Sequence, residues 1–421
     1  MKIAIIGAGK LGTALGQGWA KAGHEVLYGA RRSDAQAPFA GARVAGVRAA
    51  VEASQVVVLA TPYAGAEDAL REAGDFGGRP LVDATNPIGP GLSLAVPPGS
   101  SGAETLARVA RNAHVVKAFN TTGVENLADS RYGEARAAMF LAGDDASARE
   151  MTLGLARDLG FEAISIGALS RARLLEPLAV LWIKLAMQLG HGRSIAFGLL
   201  RRSGAPAPIA RRAQTPRRIL IAGTGNIGGG LGRAWLRAGH QVRFAVRDAA
   251  SDEARALAAL GAGLTAVRSA AADAEVIVLA VPFGAAVEVL AQLGDLRGKI
   301  IVDSTNAIAA GFQPQFSGDT SGAEELAKHA VGARVVKSFN QQGRELLEAP
   351  SFDGVAATNF VAGDDAEARR VVASLSEDLG LESLECGPLA SARLLEPLTL
   401  IWIATAQALG TRDFGVKLLR R

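Results

Sequence analysis

The chain has 421 residues, enough for two or three domains with an ample core, and its 49% hydrophobic and 20% charged residues fit a soluble globular protein. One cysteine, Cys386, excludes an internal disulfide, argues against cysteine chemistry, and suits a reducing, cytoplasmic setting. The net charge of +4 is local: residues 201–218 hold six arginines and no acid, so the rest sums to 4 − 6 = −2, and without interleaved basic and aromatic residues nucleic-acid binding is not expected.

In chain order, "KIAIIG" (2–7) is an unbroken apolar run of the kind a strand buried on both faces shows. No signal peptide is expected ahead of it. "KLGTALGQGWAKAG" (10–23) then reads as a helix. Further strands are predicted in "EVLYGA" (25–30), "QVVVLAT" (55–61), "RPLVDAT" (79–85), "HVVKAF" (114–119), "AMFLAG" (138–143) and "FEAISIG" (161–167). A loop at 85–100 carries Pro87, Pro90, Pro97 and Pro98, and a leucine-rich stretch from about Ser170 to Leu200 reads as helical. The apolar runs 177–190 and 397–410 fall short of the roughly 20 residues a spanning helix needs, so buried helices are predicted and no membrane span.

The pattern then repeats. "SGAETLARVARNAHVVKAFNTTGVE" (101–125) and "SGAEELAKHAVGARVVKSFNQQGRE" (321–345) agree at 15 of 25 positions. The offset is 216 at the first glycines and 220 from Pro62/Pro282 onward, so the second copy gained four residues in between. Such a period exceeds any solenoid unit and implies two whole domains. The expected organisation is a first copy over 1–202, a Pro/Ala/Arg linker over 203–215, solvated and extended, and a second copy over 216–421. Strands alternating with helices imply α/β domains with doubly wound, mostly parallel sheets.

"GAGKLG" (Gly7, Gly9, Lys10, Leu11, Gly12) and "GTGNIG" (Gly223, Thr224, Gly225, Asn226, Ile227, Gly228) each follow an apolar strand and open a helix. That context makes GxGxxG a dinucleotide fingerprint: a tight turn, close approach of the pyrophosphate, and phosphate at a helix N-terminus. Two in-register matches point to two Rossmann-like domains. After the second strand Ala30 is followed by Arg31 and Arg32, with no acid to bond a ribose 2′-hydroxyl. Guanidinium groups there favour a 2′-phosphate, and hence NADP, over the alternative of two solvated arginines. The second copy keeps Arg247 but has Asp248 in place of Arg32, which predicts a weaker preference for NADP.

Thr61, Pro62 and Tyr63 end the next strand, matched by Val281, Pro282 and Phe283. Because Phe283 replaces Tyr63, a hydroxyl cannot serve both halves, and an aromatic wall beside the nicotinamide is expected. Asn86 and Asn306 stand at a strand's carboxyl end, where they either bond the cofactor or cap a turn. Phe119, Asn120 and Thr121, with Phe339, Asn340 and Gln341, are candidates for the substrate pocket. Lys117 is either a substrate contact or a buried lysine reaching a carboxylate such as Asp83. His24 and His240 lie at the far end of the sheet and are expected to be structural, and no metal-ligand cluster or nucleophile–base pair is visible.

The motifs "GTGNIG", "GARR", "ATPY", "SGAETLA", "VVKAFNT", "AGDD" and "GPLASARLLEPLTLIWI…FGVKLL" resemble the coenzyme F420-dependent NADP oxidoreductases and the related reductase domain of the STEAP metalloreductases. The resemblance covers nearly all of each copy. It implies, for each copy, a Rossmann domain with a C-terminal helical lobe that binds NADP and a flavin or deazaflavin, with F420, FMN or FAD as the co-substrate ring. Those relatives are dimers of one domain, so the fused copies are expected to pack as a built-in pseudo-dimer. The leading reading is hydride transfer between NADP(H) and such a ring, its substrate face built from the 85–100 loop, the Phe119–Asn120 corner and the Ser170–Glu176 helix start. Two alternatives stay open: reduction of a small carbonyl or imine, and a nucleotide-sensing protein with one degenerate copy.

Overall fold

The computed structural model describes residues 1–32, 35–204, 212–341 and 343–421, so most of the expected 203–215 linker, and Gln342, lie outside the described residues. The chain divides into two compact units: Met1–Leu199 with Leu418–Arg421, and Leu200–Lys417.

In the first unit the apolar runs form the strands β1 (Lys2–Ile6), β2 (Glu25–Ala30), β3 (Arg43–Gly46), β4 (Val56–Leu59), β5 (Pro80–Asp83), β6 (His114–Lys117), β7 (Ala138–Gly143) and β8 (Glu162–Ser165). They lie in the order β8-β7-β6-β5-β4-β1-β2-β3. All neighbours run parallel except β6 and β7, which pair antiparallel at Val116↔Gly143. Ile3 pairs with Val26 on one side and Val56 on the other, so the strand order reverses about β1. A ligand crevice opens above the carboxyl ends of such a switch point.

The second unit repeats this with β9 (Arg218–Ala222), β10 (Gln241–Val246), β11 (Gly263–Ala266), β12 (Val276–Leu279), β13 (Ile300–Asp303), β14 (Arg334–Lys337), β15 (Thr358–Gly363) and β16 (Glu382–Glu385). Their order is β11-β10-β9-β12-β13-β14-β15-β16. The four extra residues fall between β10 and β11, where a helix spans Asp252–Ala259; the described residues 35–42 of the first copy hold none.

Each sheet buries its apolar strands on both faces, as the unbroken runs require. Trp19 and Trp235 lie in the cores and donate through Nε1 to the Leu155 and Leu375 carbonyls, both at 2.9 Å.

The helical reading of 170–200 needs correction. The helix spans Ala172–Ile183 and continues as a π-turn over Lys184–Gln188, after which Ile195–Leu200 is a strand. Gly190 and Gly192, at φ +77° and +74°, stop the helix, and the apolar run beyond them extends as a buried strand. The second copy has an unbroken helix over Ala392–Leu409. The stretch Leu389–Leu409 is long and apolar enough to cross a membrane by length and composition, but 67% of it is buried inside the protein.

Just ahead of the expected linker, one arginine is held in place. Arg202 belongs with the second unit: its side chain is 5% exposed, meets Asp413 at 2.7 Å, donates to the Ser351 and Ala349 carbonyls, and stacks 4.1 Å over Phe352. Arg421 makes the matching clamp in the first unit, bonding the Asp129 and Arg131 carbonyls and lying 4.4 Å over Tyr132, but from an exposed position. Arg202→Ala should therefore lower stability by about 2–3 kcal/mol and Arg421→Ala by only about 1 kcal/mol, measured as the shift in urea midpoint.

Candidate functional site

The two glycine turns are built alike. A Cβ on Gly7 would stand 2.6 Å from the Ala60 carbonyl oxygen, and one on Gly12 would be 2.0 Å from that of Gly7. Backbone touches backbone at both points, so no side chain fits. Gly9 differs: a Cβ there meets nothing within 4 Å. Gly223, Gly228 and Gly225 repeat these three environments. The helices that follow, Lys10–Lys21 and Asn226–Ala238, have glycine N-caps, no side-chain cap and no acid in the first turn. Their first amides are thus left for a ligand, and the end carries partial positive charge. Leu11 and Ile227 turn inward against the cores, while the Lys10 and Asn226 side chains are exposed.

Beside the first turn lies a cleft of about 500 Å³ lined by Gly7, Ala30, Arg31, Thr61 and Pro62, among others. Its far side brings in Gln36, Asp68 and Glu72, which the sequence reading did not pick out. The acids at 68 and 72, one turn apart on the helix Ala66–Ala73, were the available signal. Arg32 is exposed next to Arg31. Tyr63 leaves the cleft and packs on the helix Gly102–Val109, where a Cβ on Gly102 would come within 2.8 Å of its ring. Burial raises its phenol pKa, so it stays protonated. Phe283 packs in the same way on Gly322 and meets Phe316 edge-on at 5.5 Å.

At the carboxyl ends of β5 and β6 lies a cluster of buried charge. Lys117, with no exposed surface, reaches Asp83 at 2.9 Å, the Thr85 carbonyl at 2.6 Å and Glu176 at 3.3 Å. Asp83 also accepts from the Thr85 amide and hydroxyl, and Glu176 accepts from the Gly102 and Ala103 amides. Burial alone pushes the Lys117 ammonium down, but Asp83 and Glu176 more than offset it, and its pKa ends above the usual lysine value. Burial pushes Glu176 up, against the pull of Lys117 and the helix amides. The second copy repeats the cluster, with Lys337 at 2.9 Å from Asp303 and 3.4 Å from Glu396. Of the two readings of Lys117, the structure bears out the buried lysine.

Above this cluster two asparagines interlock. Asn86 donates to the Asn120 carbonyl at 3.0 Å, and Asn120 donates back to Asn86 Oδ1 and to the Leu175 carbonyl, each at 3.1 Å. Asn120 Oδ1 is buried without a partner, as are Asn340 Oδ1 and Thr61 Oγ1. In the second copy Asn306 donates to the Asn340 carbonyl at 3.1 Å. Thr399, standing where the first copy has Ala179, donates to Asn306 Oδ1 at 2.8 Å.

The phenylalanines are not at the pocket mouth. Phe119 and Phe339 sit at φ +59° and +58°, which turns their rings into the cores, edge-on to Trp19 and Trp235 at 5.5 and 5.6 Å. Thr121 is buried, and Gln341 is buried with its amide on Asn359 Oδ1 at 3.2 Å. The Ser170–Glu176 segment is likewise occupied internally through Glu176. His24 and His240 pair with Asp158 and Asp378 at 3.0 and 3.1 Å, at the amino end of β2 and β10.

A family model described as NADP oxidoreductase, coenzyme F420-dependent, matches residues 2–87 and again 218–307. The F420-dependent NADP reductase of Methanothermobacter thermautotrophicus is 33% identical over 218 residues, 47% of this chain and 93% of that protein. The chain belongs to the coenzyme F420-dependent NADP oxidoreductase family. It carries the family's domain as a tandem pair and is an NADP-dependent oxidoreductase. The metalloreductase STEAP3 of Rattus norvegicus is 36% identical over 35% of this chain and 31% of its own length. A solved structure, a putative F420-dependent NADP reductase from Arthrobacter sp. FB24, is 30% identical over 46% of this chain and 96% of its own, with a TM-score of 0.43.

The residues fit the dinucleotide this family uses. The open space over Gly9 and the uncapped helix end suit a pyrophosphate. Arg31 at the cleft suits a 2′-phosphate, and Thr61, whose hydroxyl oxygen is without a protein partner, lines the same cleft.

Proposed function

We propose that the chain transfers hydride between NADP(H) and a flavin or deazaflavin ring, with coenzyme F420 the ring its family points to. One observation carries this reading. The titratable groups at the carboxyl ends of β5 and β6, Lys117, Asp83 and Glu176, are buried and consumed by one another, so that edge offers position rather than acid–base chemistry. Such a site suits a reaction in which the bound rings supply both the hydride and its acceptor. The protein's part is to hold the pyrophosphate on the Gly7–Gly12 turn, to fix the 2′-phosphate with Arg31 and Arg32, and to set the nicotinamide against the Asn86–Asn120 pair. Reduction of a carbonyl or imine would need an accessible proton donor, and Tyr63, whose counterpart is Phe283, supplies none in the second copy.

Calorimetric titration with NADPH tests the reading, repeated on Arg31→Ala combined with Arg32→Ala. The double variant should weaken NADPH binding to the first copy by at least about tenfold, since two charge-assisted contacts are lost. Anaerobic mixing of NADPH with F420, and separately with FMN, should bleach the ring in at least one case. Absence of NADPH binding would overturn the proposal.

A further inference from the structure

The two copies differ most where the adenosine ribose would lie. In the first, β2 runs into Arg31 and Arg32, and Arg31 lines the cleft. In the second, β10 runs into Arg247 and Asp248, then into the helix Asp252–Ala259, which has no counterpart among the described residues of the first copy. Asp248 Oδ1 accepts from the Ala250 amide at 2.8 Å, which fixes the carboxylate on that turn. A helix N-terminus would ordinarily favour a phosphate. This one is already closed, because the Ser251 side chain accepts from the Ala254 amide and Asp252 and Glu253 fill the first turn. A phosphate dianion brought here enters a stretch that carries three acids, Asp248, Asp252 and Glu253, within six residues. Arg247 stands against them, and Arg255 is engaged with Asp252 at 2.6 Å.

The turn, the asparagine pair and the lysine cluster of the second site are kept. Its glycine turn leaves the same open space at Gly225, its Asn306–Asn340 pair persists, and its buried lysine meets Asp303 at the same 2.9 Å. A degenerate copy would be expected to lose these together. Here those features persist while the groups that read the 2′ position have changed in charge.

We propose that the second copy binds the dinucleotide without a 2′-phosphate, NAD(H), while the first binds NADP(H), so that one chain moves hydride between the two pools through a diffusing deazaflavin. This rests on the hydride-transfer reading above. At the first copy, NADPH gives a hydride from its nicotinamide C4, solvent gives a proton, and the oxidised ring becomes the reduced ring with release of NADP⁺. At the second copy the reduced ring returns the hydride to C4 of NAD⁺ and the proton to solvent. The sum is NADPH + NAD⁺ → NADP⁺ + NADH.

The test uses the full chain, anaerobically, with NADPH, NAD⁺ and a catalytic amount of F420, and NADH is separated from NADPH by chromatography. NADH should accumulate only when F420 is present. Calorimetry should show one NADPH site and one NADH site per chain. Asp248→Arg should weaken NADH-dependent F420 reduction by about tenfold and open a second NADPH site, as expected when a charge near a phosphate is reversed. Two equal NADPH sites in the unchanged chain, with no NADH binding, would overturn the proposal yet leave the first copy's reading standing. No NADPH binding at all would remove both.

Discussion

Replacing Lys117 by methionine is expected to lower stability by about 3–5 kcal/mol, one of the largest single losses available in the first unit. Methionine nearly matches the lysine stem in volume, so the loss does not come from a cavity. It comes from leaving Asp83 and Glu176, both buried, with no cation between them. Asp83→Asn introduced with Lys117→Met should recover part of the deficit, because one of the two stranded charges is gone. Urea unfolding of the single and double variants measures both effects. If Lys117→Met instead kept full stability but lost hydride transfer, the lysine would have to be reassigned as a reacting group.

Gly9→Val is expected to do the opposite, leaving stability nearly unchanged and emptying the first cofactor site. A Cβ at this position meets no protein atom within 4 Å, so the fold can accept the larger side chain. The pyrophosphate needs that same space. Loss of one or two of its charge-assisted backbone contacts corresponds to roughly 2–4 kcal/mol, about a thirty- to thousandfold weakening for NADPH. Calorimetry gives the affinity and thermal unfolding gives the control. Gly12→Ala offers the contrast, since its Cβ would stand 2.0 Å from the Gly7 carbonyl oxygen and the turn itself would give way.

These two cases mark where sequence was sufficient and where it was not. The sheets were legible because strands buried on both faces must be apolar throughout, and the duplication made each assignment twice. The glycine turns were legible because backbone contact tolerates only one residue type. Phe119 and Phe339 were placed at the pocket because they end the strand at its ligand edge. What decides their direction is a positive φ, and a phenylalanine in the left-handed region leaves no mark in the sequence. Glu176 was read as part of a substrate face, yet its carboxylate holds Lys117 and the start of the helix Gly102–Val109. Its partners lie 59 and 74 positions away, beyond any local pattern. The only hint was a lone acid among leucines. The strand Ile195–Leu200 reads as helix in the sequence because a short leucine-rich run has no decisive period.

The first unit is discontinuous in sequence, and this bears on how the chain is made. Translation delivers residues 1–199 first, but the unit also contains Leu418–Arg421, whose arginine closes over Tyr132. At about 5–20 residues per second, those residues emerge on the order of tens of seconds after the rest of the unit. During that interval the early copy waits on the ribosome with its Tyr132 corner unclosed. A nascent-chain protease assay on ribosomes stalled before residue 418 should find that corner open to cleavage, and one on released chains should find it protected.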